Sequence, residues 1–168
     1  RSRASRSAWA ATVVSAGAQR GRAKAARLPR MASTTTEAAV NAEYHALFIG
    51  LGRGELVPYG SWYQTGFLME KPLSLLRDDL AVLGFERSEQ TKEPEDHVAA
   101  LCEVMAMLIS DGESLAQQSR FFKTHLSSWM GRFFRDLSTA DNATFYRAVG
   151  RFGVAFVELE QRYLEMET

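Results

Sequence analysis

Between residues 38 and 163 the apolar residues of this chain recur at steps of three and four, the period of an α-helix, and no strand-like alternation competes with them. A helix with one apolar stripe must bury it against another helix. The expected class is therefore all-α, a compact single-domain helical bundle. The stripe is clearest in EPEDHVAALCEVMAMLIS, where Val98, Leu101, Cys102, Met105, Leu108 and Ile109 share one face. Pro94 suits the first turn of that helix, Glu95 and Asp96 place negative charge at its positive end, and Asp111-Gly112 stops it. Other stripes are expected over 38–51 (Val40, Tyr44, Leu47, Phe48, Leu51), from Ser61 or Trp62 to Met69, and after Pro72 (Leu73, Leu76, Leu80, Leu83). Further ones are expected over 113–125, over 129–137, and from about Ala143 to Met166. Residues 86–93, ERSEQTKE, read as a surface loop.

The net charge of zero hides an asymmetry. Residues 1–31 hold seven arginines and Lys24 and no acid, which leaves twelve basic against twenty acidic residues beyond them, a body charge of −8. An acidic body suits a cationic partner or plain solubility, and fits nucleic acid poorly. The basic segment is rich in Arg, Ser and Ala. It has the composition of an organellar transit peptide, of a basic arm for nucleic acid, or of a disordered or non-native leader. Met31 follows it and the chain does not begin with Met, so residues 1–31 are taken as a leader and 32–168 as the folded domain. No run of eighteen apolar residues occurs, so no membrane span is expected. The single Cys102 forms no internal disulfide. It points to a reducing compartment, and its place on a stripe points to packing.

Little in the chain suggests catalysis. His45, His97 and His125 are far apart, with no HExxH or paired-cysteine motif, so neither a metal nor another cofactor is expected. Asp96 and His97 could form an acid–base pair, but neighbours on a helix do not face each other, and capping plus one polar contact is the plainer reading. GLGRG, residues 50–54, lacks the phosphate-loop pattern and reads as a helix stop. The loop GRGELVPYGSWY, residues 52–63, is the unusual stretch, with Tyr59, Trp62 and Tyr63 among three glycines. Those rings could cover the end of the bundle or bind a ligand, and residue chemistry leaves both open.

Four segments in order, EYHALFIGLGRGELVPYGSWY, EPEDHVAALCEVM, FFKTHLSSWMGRFF and FYRAVG, resemble the TorD-like family of redox-enzyme maturation chaperones, with similarity over about residues 37–166. The resemblance implies a non-catalytic, cytoplasmic, all-helical protein. It would bind the twin-arginine signal peptide and apo form of a molybdopterin-dependent oxidoreductase catalytic subunit, assist cofactor insertion and prevent premature export. It carries over Pro58, Tyr59, Gly60, Ser61 and Trp62 from the aromatic loop, and Pro94, Asp96 and His97 from the helix start, as peptide-binding residues that lie near one another. Asp96, Glu93 and Glu95 would pair with the arginines of the peptide, and Tyr59 and Trp62 would hold its apolar run or stack on an arginine. The alternative is a private assembly factor for another redox complex, without signal-peptide contact. Family members usually carry further helices before the EYHALF segment. The body is expected to lack them, to expose an apolar face, and to be open to a homodimer by helix exchange.

Overall fold

The structure, a computed structural model, describes residues 35–50, 54–86 and 93–166. The basic segment 1–31, Leu51 of the first stripe and residues 87–92 of the charged loop lie outside the described residues. The expected all-α class is what is found: seven α-helices and no strand among the described residues. They are α1 (Glu37–Tyr44), α2 (Gly60–Thr65), α3 (Lys71–Val82), α4 (Val98–Ser110), α5 (Leu115–His125), α6 (Met130–Thr139) and α7 (Phe145–Met166). None is long and apolar enough to cross a membrane.

Local chemistry sets most of the helix ends. Thr36 caps α1, its hydroxyl accepting from the Ala39 amide at 3.2 Å, and Ser114 caps α5 by accepting from the Gln117 amide at 3.2 Å. A single π-helical turn, His45–Ile49, continues α1 and buries Leu47 completely. Pro72 sits in the first turn of α3, as expected.

Three boundaries differ from the sequence expectation. Helix α4 begins at Val98, and Pro94, Glu95 and Asp96 form a turn before it. Asp96 therefore does not serve the dipole of α4; its carboxylate goes to another helix. Helix α2 stops at Thr65, because Gly66 takes the left-handed conformation (φ +83°), so Phe67, Leu68 and Met69 leave the helix and stand in solvent. Helix α7 starts at Phe145, with Ala143 buried in the turn before it.

The core is centred on the corner between α5 and α6. Trp129, Met130, Phe122, Phe133 and Leu126 are buried there, against Leu73 and Leu76 of α3, Leu101 and Leu108 of α4, and Val157 and Leu164 of α7. The pair α6–α7 packs backbone to backbone. A β-carbon on Gly150 would lie 2.6 Å from the Ser138 amide nitrogen, and one on Gly153 would lie 2.2 Å from the Phe134 ring. Cys102 packs against the core, and burial, with a smaller push from Glu103, raises its thiol to about 12, as fits a packing role.

Two glutamates fasten the first part of the fold to the turn between α6 and α7. Glu43 accepts from the amides of Thr144, Phe145 and Tyr146 at 2.8, 3.0 and 2.7 Å, and so caps α7 from α1. Glu55 accepts from the Asp141 and Asn142 amides at 2.6 and 3.1 Å. Partial burial works against its charge, but these bonds hold its carboxyl below the ordinary value.

Candidate functional site

The aromatic loop and the EPEDH turn meet. The Gly60 amide donates to the Asp96 carbonyl and the Val98 amide to the Pro58 carbonyl, both at 2.9 Å, so Tyr59 and His97 face each other in a one-residue antiparallel bridge. This pairing spans more than thirty residues of chain, and it fixes the start of α2 beside the start of α4.

Each side chain of the pairing has a defined partner. The Tyr59 ring stands edge-on to the His97 imidazole, centroids 5.1 Å apart, and its hydroxyl donates to Glu93. Burial first and the hydrogen bond to Glu93 second, with the Glu93 charge behind them, push the Tyr59 phenol well above its ordinary value. His97 caps α4 by accepting from the Ala99 amide on Nδ1 at 3.1 Å, which leaves the ring proton on Nε2. Burial pushes its pKa down, against the opposing charges of Glu93 and Asp96. Glu95 pairs with Arg77 of α3 at 2.8 Å. Tyr63 turns inward against Trp129 and Phe133, so that ring is core.

Asp96 is the buried member, only 3% exposed. Its Oδ2 accepts from the Ser61 amide at 2.7 Å, at the first turn of α2. Its Oδ1 is buried with no hydrogen-bond partner, and so is the hydroxyl of Ser61 next to it. Buried polar atoms are nearly always satisfied, so the unpartnered carboxylate oxygen is a candidate acceptor for a donor from outside. Gly60 is closely packed here: a β-carbon would lie 3.1 Å from the fully buried Trp129 indole, a tight contact, and that ring is held by its own bond to the His125 carbonyl at 2.7 Å.

A cleft of about 330 Å³ opens beside Asp96. Apolar walls come from Pro72, Leu75, Leu76 and Leu101, and polar groups from Gln64, Thr65, Lys71, Thr124 and His125. On the far wall His125 Nε2 meets the Asp79 carboxylate at 2.7 Å, and Arg120 reaches the other Asp79 oxygen at 3.2 Å. Beyond Thr65 the chain exposes Phe67 (68%) and Met69 (74%), with Leu68 and Leu75 about half exposed. An acid in a cleft of mixed apolar and polar walls, one of them carrying Lys71, can take a side chain with an apolar stem and a cationic head, an arginine or a lysine.

Among the residues singled out from sequence, Gly60 and Asp96 line this cleft. Pro58, Tyr59, Ser61, Glu93, Pro94 and His97 do not line the cleft; Ser61 bonds Asp96, Pro58, Tyr59 and His97 belong to the backbone pairing beside it, Glu93 is held by Tyr59, and Trp62 is partly exposed on the same short helix as Ser61. Sequence reasoning missed the α3 and α5 contributions. The segment FFKTHLSSW did carry Thr124 and His125, but nothing in its spacing tied them to Asp96. Among the described residues no three His, Cys, Asp or Glu side chains group as a metal site.

Residues 16–135 match the family described as nitrate reductase delta subunit; the match begins inside the basic segment and ends within α6. The chain is also similar to the chaperone protein TorD of several bacteria. It is 28% identical to that of Vibrio parahaemolyticus over 135 residues, covering 73% of this chain and 63% of the relative. It is 29% identical to that of Aliivibrio salmonicida over 140 residues, covering 76% and 65%. It is 30% identical to that of Vibrio cholerae over 135 residues, covering 74% and 61%. The chain thus spans somewhat less than two thirds of the length of these curated relatives.

Proposed function

The chain belongs to the nitrate reductase delta subunit family, as a TorD-like member, and from that membership we propose that it is a maturation chaperone for a redox enzyme. In this reading it binds the twin-arginine signal peptide of a molybdoenzyme catalytic subunit in the cytoplasm. It holds the apo subunit until the cofactor is in place, and performs no chemical step itself. The observation that carries the reading is the cleft beside Asp96, with a buried carboxylate oxygen that has no partner. A guanidinium would donate to that oxygen, its methylene stem would lie along Leu75, Leu76 and Leu101, and the apolar run of the peptide would lie against Phe67, Leu68 and Met69. The body charge of −8 would speed the approach of a cationic peptide.

The test is calorimetric titration of the full chain with a twin-arginine signal peptide and with the same peptide carrying two lysines. The reading expects binding at micromolar concentration or below, about tenfold or more weaker for the lysine peptide, because a compact ammonium cannot make the paired contacts of a planar guanidinium. Equal binding of the two peptides would sink the arginine-reading role. The family description names a subunit of a redox enzyme, which leaves room for a second reading, a private assembly factor for another redox complex that contacts no signal peptide. Folded protein that binds neither peptide would favour it.

A further inference from the structure

Asp96 lines the cleft, and three other carboxylates, Asp79 on α3 and Glu93 and Glu95 in the turn before α4, each have a partner within this chain. Asp79 is held from two sides by His125 and Arg120, and Glu93 accepts from the Tyr59 hydroxyl. Glu95, adjacent to Asp96 in the chain, is bound by Arg77 through Nη2 at 2.8 Å and Nε at 3.0 Å, both to Oε2. Of the four, Asp96 keeps a buried oxygen without a partner. Arg77 comes from α3, the helix whose Leu75 and Leu76 form the apolar wall of the cleft. The molecule thus presents a guanidinium of its own to the acidic turn, beside the site proposed for the guanidinium of a ligand.

We infer that Arg77 is a specificity-determining residue: it occupies Glu95 as an internal stand-in for a ligand arginine, so that an incoming cation is directed to Asp96 and the site buries one arginine rather than two. The inference rests on the peptide-binding reading above. An internal partner is present at a fixed effective concentration whatever the ligand concentration, so a ligand arginine must compete with Arg77 for Glu95. The Glu95 side chain is 16% exposed and that of Arg77 49%, so the ion pair is partly open to solvent.

Titration of the twin-arginine peptide into wild type and four variants tests this. Arg77→Gln is expected to tighten binding about two- to fivefold, the range of a partly exposed ion pair. Arg77→Lys is expected to stay at the wild-type value. Arg151→Gln, the same charge removed from an exposed position on α7, is expected to change affinity by less than Arg77→Gln. The double variant Arg77→Gln/Glu95→Gln is expected to return to within about twofold of wild type, because the gain needs Glu95. Unchanged or weaker binding by Arg77→Gln overturns the inference, as does an equal gain in Arg151→Gln or a gain that survives in the double variant. Wild-type protein that binds no peptide removes the peptide reading and this inference together. Wild-type binding with no gain in Arg77→Gln removes the inference alone.

Discussion

A carboxylate that satisfies a helix end with one oxygen and leaves the other facing no partner can be altered in two separable ways. Asp96→Asn keeps an acceptor for the Ser61 amide and removes the charge. It should change stability by no more than about 1 kcal/mol, and weaken binding of a twin-arginine peptide by about tenfold or more. Urea unfolding and titration on the same sample separate the two effects. Gly60→Ala should destabilise by about 1–3 kcal/mol, since the buried Trp129 indole cannot give way without losing its bond to the His125 carbonyl; thermal unfolding reads this directly. His97 gives a pH dependence of known sign. Burial lowers its pKa below the ordinary 6.5, so the unfolded chain takes up a proton before the folded one does. The contribution of His97 is full above about pH 6.5 and is lost as pH falls through its folded value. His97→Asn, which retains a capping side chain, should flatten this part of the decline when denaturant midpoints are compared at pH 7.5 and below pH 6. Asp96 and His97 could be picked out as candidates from the EPEDH motif that carries the family resemblance. The roles they play could not, because the Ser61 amide and the Pro58 carbonyl that fix this corner come from far along the chain.

At the scale of elements, the periodic stripes carried the helices well. The buried positions Leu73, Leu76 and Leu80 of α3, and Leu101, Met105 and Leu108 of α4, were visible as spacing alone. The ends that were misplaced are those decided by contacts outside the helix. Pro94, Glu95 and Asp96 look like a first helical turn, yet the pairing of Asp96 with Gly60 and Ser61 keeps them out of α4. The apolar residues Phe67 to Met69 look like a continued stripe, yet the left-handed Gly66 turns them outward. The tie between α1 and α7 was equally hidden, because nothing local to Glu43 marks it as the cap of a helix a hundred residues later. Glu43→Ala removes the acceptor for three backbone amides at the start of α7 and should lower stability by about 1–2 kcal/mol, measured as a shift in the urea midpoint at constant slope.

The whole molecule is a small helical bundle that holds two loops together at one end and leaves a cleft there. The motif pair that forms one side of the cleft was legible in the chain, since PYGSW and EPEDH are unusual strings. The other side, from Lys71 to Leu76 of α3 and from Thr124 and His125 of α5, has ordinary helical composition and becomes a site only through packing. The central claim is that Asp96 reads an arginine in this cleft. The most direct measurement follows the backbone amides of isotopically labelled protein by NMR as a twin-arginine peptide is added. The Gly60 and Ser61 amides, which donate to the Asp96 carbonyl and carboxylate, should shift among the most, and should stay in place with the lysine peptide or in Asp96→Asn. Peptide binding that leaves both amides unmoved, with the largest shifts elsewhere in the bundle, would contradict the account.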